Sequence, residues 1–492
     1  MQRSVRMRGL CSGVALGVIG LILGAGLSPA QAQFVCKDDV TGNGQGATAT
    51  GLRSTACGAN AEASGLESTA IGFKAAATES SATATGMEAK ATGIGATATG
   101  ANATASAVNS TATGFLATAS GEGSTATGRS AEATGSNSTA TGRAAKATGT
   151  GSTATGVGAT ASGLQSSATG QDATASGLTS TATGNAAVAS GDLSTATGVS
   201  AKASGFRSTA TGVSAVASGF RSTATGQGAT ATGEDSTATG QGATASGDRS
   251  TATGQTATAS GLQSTATGHD ALASGDLSTA TGERAMATGL QSTATGQAAT
   301  ASGERSTATG QGSLASATQS TAVGAGSEAT FANSSAIGAD ARTTRANQMA
   351  VGTSVNTYTM AGITSNASRA AQTGPLEVVT TDRFGNLASD GGAFQSQFQG
   401  QIDALGRRDG ELADGIAIAL ALQQPIFHSG QKFAGRLGYG NFDGSNALAL
   451  SLAGVVDKGS FGPTSSITLD GGVGFGTLTG TVAAKAGVTF GW

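Results

Sequence analysis

The chain has 492 residues, of which 80 are glycine, while 11% are charged and 4% aromatic. That is thin material for an ordinary globular core. The net charge of −3 offers no basic footprint, which argues against a nucleic-acid partner.

Residues 1–32 carry the pattern of a secretory signal peptide. Arg3, Arg6 and Arg8 form a positive start, Leu10 to Leu27 an apolar middle, and Ala30-Gln31-Ala32 a small-residue cleavage site. Cys11 would leave with it, so the exported chain keeps Cys36 and Cys57. Export permits a disulfide between them; the alternative is two separate small residues packed in the coil.

From Gly58 to Gly352 a glycine recurs every fourteen residues, and alanine stands two places before it every time, from Ala56 to Ala350. A second glycine usually follows seven on, from Gly65 to Gly303, and fails at Glu79, Ala107, Ala317, Phe331 and Arg345. The composition suits a flexible linker, but a linker has no reason to hold one spacing or to exclude proline. A β-solenoid has both reasons, because each coil must stack on its neighbour. Fourteen residues allow two strands of about five and two tight turns, with glycine permitting φ > 0 at the corners. Parity places Ser54, Ala56 and Gly58, and likewise Ala61, Ala63 and Gly65, in a narrow interior. The opposite parity of the first strand, Thr55 and Cys57, is replaced by apolar residues in other coils: Ile71, Val323, Ile337 and Val351. That marks a face packing on sister chains. The second strand's outward site tolerates Glu62, Lys90, Glu132 and Lys146, which marks solvent.

Arg342 to Ile363 departs from the repeat while still containing its last glycine, Gly352, and Leu376–Thr380 and Asn386–Ser389 suggest two short strands around Asp382–Gly385. Residues 393–424 predict a helix. Phe398, Ile402, Leu405, Asp409, Leu412, Ile416, Ala419 and Gln423 step by four and three, a coiled-coil seam, and Pro425 ends it. Four alternating stretches follow. Phe433, Leu437 and Tyr439 share one parity, as do Leu448, Leu450 and Leu452, then Leu469, Val473 and Phe475, then Val482, Val488, Phe490 and Trp492. The charges Lys432, Arg436, Asp470 and Lys485 all fall on the other. The length suits outer-membrane strands, which need ~9–11 residues. Four strands do not close a barrel, but three copies supply twelve, a permitted size.

Several stretches together resemble the trimeric autotransporter adhesins (YadA-like): the fourteen-residue array, Thr343-Thr344-Arg345-Ala346-Asn347-Gln348-Met349-Ala350-Val351-Gly352, Gly415 to Leu422 before Pro425, Gly438 to Gly444, and the terminal Trp492. The resemblance implies a mainly β chain. It would comprise a left-handed parallel β-roll head (33–352), a neck and connector (353–392), a short trimeric coiled coil that threads a lumen (393–424), and a four-stranded share of a twelve-stranded transmembrane β-barrel (425–492). It assigns Ile71, Val323, Ile337, Val351, Ile402, Leu405, Leu412 and Ile416 to trimer contacts and Gly438 to the lumen. Arg407 and Asp409 match the family's stalk salt bridge, against the alternative of two unrelated surface charges, and Phe490 and Trp492 would address the barrel-assembly machinery. The implied partners are the chain itself, outer-membrane lipid, and host matrix or cell-surface molecules.

No catalytic set emerges. The only histidines, His269 and His428, have no Cys, His or paired carboxylate near them in sequence, so no metal or cofactor is expected. The expectation is a non-enzymatic adhesin, exported by the cleaved signal and anchored in the outer membrane with its head on the cell surface. A different class remains open: Thr-x-Thr ladders such as Thr125-Ala126-Thr127 also occur in ice-binding solenoids.

Overall fold

The structure is a computed structural model that describes residues 33–36, 45–459 and 462–492. The expected signal peptide, residues 1–32, lies outside the described residues. The chain forms two compact units, one ending at Thr357 and the other spanning Tyr358–Trp492.

The first unit is a solenoid of parallel stacked coils. Each coil gives a three-residue strand and a two-residue strand, shorter than the expected five because the corners take up the remaining residues. Thr55–Cys57 pairs with Thr69–Ile71 in register, and the pairing runs unshifted to Ser335–Ile337 on Met349–Val351. The second strands stack likewise, from Thr48–Ala49 on Glu62–Ala63 to Leu314–Ala315 on Glu328–Ala329. A one-residue slip would turn every side chain to the opposite face, so the strict fourteen-residue spacing is what keeps the interior uniform.

That interior is alanine and serine. Ala56, Ala61 and Ala63 and their equivalents between the two end coils are fully buried, as is the serine that precedes most of the first strands. A hydroxyl buried without a partner is costly. In Ser54, Ser166, Ser180 and Ser306 it donates to the carbonyl three residues back, at 2.7–2.8 Å.

The corners differ from expectation. Gly58 is exposed, not interior. It adopts φ +124°, and a Cβ there would lie 2.6 Å from the Gly72 carbonyl oxygen of the next coil. Gly65 has no positive φ; it is glycine because a Cβ would sit 1.9 Å from the Glu79 carbonyl. The left-handed residues at φ near 55° are instead the second members of the variable pairs, among them Glu67, Leu116, Thr179 and Leu193. Their backbones are held by the neighbouring coil, as where Glu67 N–H donates to the Leu52 carbonyl at 2.8 Å. The array begins with Phe34–Val35, which pairs with Thr55–Ala56 across 21 residues.

The second unit opens with a short 3-10 turn, Ala361–Thr364, and a helix, Asn366–Ala371. A small antiparallel hairpin joins Val379–Thr381 to Leu387–Ser389. The long helix runs Ala393–Ala421, stopping three residues short of the expected Gln424. Its first residues are fixed from outside: Asp390 accepts the N–H groups of Phe394 at 2.8 Å and of Gly392 and Val378 at 3.0 Å. Four antiparallel strands follow, Phe433–Phe442, Ser445–Lys458, Ser466–Gly476 and Val482–Gly491, in sequential order. Asp443-Gly444 makes a two-residue hairpin turn with both φ positive, the geometry that matches strand twist.

Candidate functional site

Two surfaces carry the functional reading, one in each unit. On the solenoid, the outward residues of the three-residue strands form a continuous face. It is apolar near its ends, where Ile71, Val323, Ile337 and Val351 are 37–46% exposed. Between them, every strand from Thr83–Thr85 to Thr307–Thr309 presents two hydroxyl side chains, all threonine except Ser167. At the start of this face Cys36 and Cys57 are joined by a disulfide, with Cα atoms 4.7 Å apart. The parallel pairing of Phe34–Val35 brings them to adjacent layers.

The two corners of the coil carry a different surface. Phe206 and Phe220 stack at 5.2 Å between ring centroids, and Arg207 and Arg221 lie over their own neighbouring rings. Arg221 pairs with Asp235 at 2.5 Å. On the other corner, Gln255, Gln241 and Gln227 form a hydrogen-bonded ladder. Such side chains repeat with the coil spacing and face solvent, as an extended contact surface requires.

In the second unit, the four-stranded sheet has two unlike faces. Leu437, Tyr439, Leu448, Leu450, Val473 and Phe490 point out and are exposed, with Leu450 and Val473 paired in register on neighbouring strands. The other face packs on the long helix. The helix approaches so closely that a Cβ at Gly438 would lie 1.9 Å from the Ala421 carbonyl, and one at Gly440 2.0 Å from that of Ala417. Gly474 and Gly476 leave matching room for Ile418 and Asp414. The charges sit on this inner face: Asp470 is buried, accepts the Gln424 amide at 2.7 Å, and has the Lys485 ammonium 3.8 Å away. Lys485 also donates to the Leu422 carbonyl at 3.1 Å.

The helix face against the sheet is Gly410, Ala413, Asp414, Ala417, Ile418 and Ala421. The seam residues Ile402, Leu405, Leu412 and Ile416 face away and are exposed, with Arg407 and Asp409. Among the described residues, no ion pair joins Arg407 and Asp409 within the chain. Phe490 lies near the end of the last strand and Trp492 just beyond it, both exposed.

Sequence reasoning overlooked Asp414. It is completely buried and accepts hydrogen bonds from the Ser445 hydroxyl, from Leu478 N–H at 3.1 Å, and from Thr479 N–H and Oγ1 at 2.7 and 2.8 Å. The available signal was the stripe of small residues at three- and four-residue steps, Gly410, Ala413, Ala417 and Ala421, with one carboxylate set in it. Among the described residues no cluster of three or more metal-capable side chains occurs, and no helix is long and apolar enough to cross a membrane.

The family model of the YadA head domain repeat matches the array in successive segments from residues 41–61 and 63–89 to 315–341, together more than half of the chain. The chain belongs to the YadA-like trimeric autotransporter adhesins. Among solved structures, it is similar to the collagen-binding domain of the Yersinia adhesin YadA. The two are 24% identical, the match covers 38% of this chain and 84% of that one, and the TM-score is 0.22. No curated protein sequence matches the chain. Membership of the YadA-like family makes an adhesin role the functional assignment and does not favour the ice-binding reading of the threonine ladder.

Proposed function

We propose that this YadA-like adhesin works as a homotrimer in the bacterial outer membrane. Three C-terminal sheets would close one twelve-stranded barrel, and three long helices would share its lumen. The observation that carries this reading is the sheet Phe433–Gly491. It is open at both edges, apolar on its outer face, and lined with glycine and charge against a helix. In lipid, each unpaired edge group costs several kcal/mol, and other copies of the same sheet remove that cost.

On this reading, residues 1–32 direct export, 33–352 form the surface head, 353–392 the neck and connector, 393–424 the stalk and lumen helix, and 425–492 the anchor. The anchor would carry the head across the membrane itself, in the type V manner, with Phe490 and Trp492 presented to the barrel-assembly machinery. The exposed seam Ile402, Leu405, Leu412 and Ile416 would meet its copies, and Arg407 would pair with Asp409 of a sister chain. The head would attach to host matrix, other surfaces or other cells through many weak contacts, multiplied by three chains and many molecules.

The test is expression in a Gram-negative host, followed by outer-membrane fractionation and electrophoresis without heating. A trimer-sized band that collapses on boiling is expected; a water-soluble monomer would overturn the proposal. Deleting residues 47–340 while keeping the anchor should then abolish cell clumping and matrix binding without removing the trimer.

A further inference from the structure

We infer that the head trimer is clasped at its two ends by apolar side chains and holds a hydrated, hydroxyl-lined seam between them. The inference rests on the homotrimer proposed above and names what fills its interface.

Its ground is the distribution of outward residues on the three-residue strands. Ile71 stands near the first coils; Val323, Ile337 and Val351 stand in the last ones, stacked directly on one another. All four are exposed in the single chain. The seventeen strands between, Thr83–Thr85 to Thr307–Thr309, present only hydroxyl side chains on that face. None of these hydroxyls hydrogen-bonds within the chain among the described residues, while the strand backbone is already committed to the parallel ladder.

The occupant of the face is a further copy of the chain. A closed three-fold assembly sets each coil against its own copies, so Ile337 meets Ile337 and Thr197 meets Thr197. Isoleucine and valine shed water on contact and close a dry joint. The threonine hydroxyls, unpartnered within the chain, need partners in the seam, and water that bridges the chains supplies them there. The arrangement also suits export, because a long exposed Ile/Val ladder on a single chain is an aggregation hazard, and threonine keeps strand propensity without it.

The test uses the full chain in outer membranes, with single cysteines introduced by Ile337→Cys, Thr197→Cys and, as an exposed control, Ser190→Cys. Cysteine already occupies this outward position at Cys57, and Cys36 and Cys57 are bonded, so in the chain freed of residues 1–32, with Cys11, only the new thiol reacts. Labelling is with a small charged methanethiosulfonate under anaerobic conditions. Thr197→Cys should react within about threefold of Ser190→Cys, and Ile337→Cys at least about tenfold more slowly. Both slow would overturn the hydrated seam and leave the trimer standing. Both fast, with the unboiled trimer band intact, would overturn the apolar clasps; both fast without that band would sink the trimer as well. Should a cysteine variant fail to assemble, Ile337→Thr and Thr197→Ser replace it. The first should lower the melting midpoint of the head and the second leave it unchanged; the reverse order overturns the inference.

Discussion

Asp414 on the long helix accepts the backbone N–H of Thr479, 65 residues later, at 2.7 Å. Thr479 lies in the connection after the third strand of the C-terminal sheet, and Ser445, the second donor, begins the second strand. One carboxylate therefore ties the helix to two neighbouring turns. Asp414→Ala would strand these donors in a buried place, at about 1–3 kcal/mol each. On the trimer proposed above, the unboiled assembly should then dissociate at a clearly lower temperature, while Glu411→Ala, at an exposed helix position outside the seam, should leave that temperature unchanged.

Gly440→Ala should be as damaging as Gly438→Ala. At both positions the added methyl would strike a helix carbonyl, at 2.0 and 1.9 Å, and neither backbone is free to yield. Overpacking of this kind costs about 1–3 kcal/mol or more. Gly435→Ala is the control, since its methyl would meet only the end of Leu452 at 3.2 Å. The amount of assembled protein in outer membranes measures all three.

Within the head, two substitutions should act in opposite directions. Gly205→Ala places a methyl 2.0 Å from the Gly219 carbonyl and should break the stack locally. Thr179 holds φ 52°, a conformation that is unfavourable for a β-branched residue. Thr179→Gly should therefore stabilise the head by about 1 kcal/mol. Limited proteolysis and thermal melting read both.

Acid should loosen the start of the long helix. Hydrogen bonds from the N–H groups of Phe394, Gly392 and Val378 hold the Asp390 carboxyl below its ordinary range. Its contribution is fully present above the unfolded value of about 3.9 and is lost as pH falls through the lower folded value. Hydrogen-exchange protection at Phe394, relative to the intrinsic rate at each pH, should fall across that window in the parent chain and be low at every pH in Asp390→Ala.

Cys36→Ser should free Phe34–Val35 from the first coil. Closing a loop of this length contributes about 3 kcal/mol. Proteolysis should advance at the N-terminal end only, because coils in a solenoid depend on their nearest neighbours. Non-reducing mass analysis of the chain freed of residues 1–32, and so of Cys11, should find no free thiol in the parent and one in the variant, which checks the bond itself.

Much of this architecture is legible in the sequence, for a physical reason. Stacking enforces a fixed period, so Ala56 and Ala350 announce the same place in different coils, and alternation in Phe433–Gly491 separates the faces of the sheet. What escapes is whatever depends on distant backbone. Nothing near Asp414 points to Ser445 or Thr479. Nothing in the chemistry of Leu193 or Thr179 marks a left-handed corner, because the neighbouring coil imposes it. Glycine is assigned to the corners by its conformational freedom, whereas at Gly65 the cause is crowding.

The corner contact from Glu67 N–H to the Leu52 carbonyl involves main chain alone, and so do its counterparts along the array. Side chains at these sites are thus released from any duty to the frame. A lineage of cells could rewrite the exterior one coil at a time, or gain and lose whole fourteen-residue blocks by recombination, and each new joint would fit the old ones.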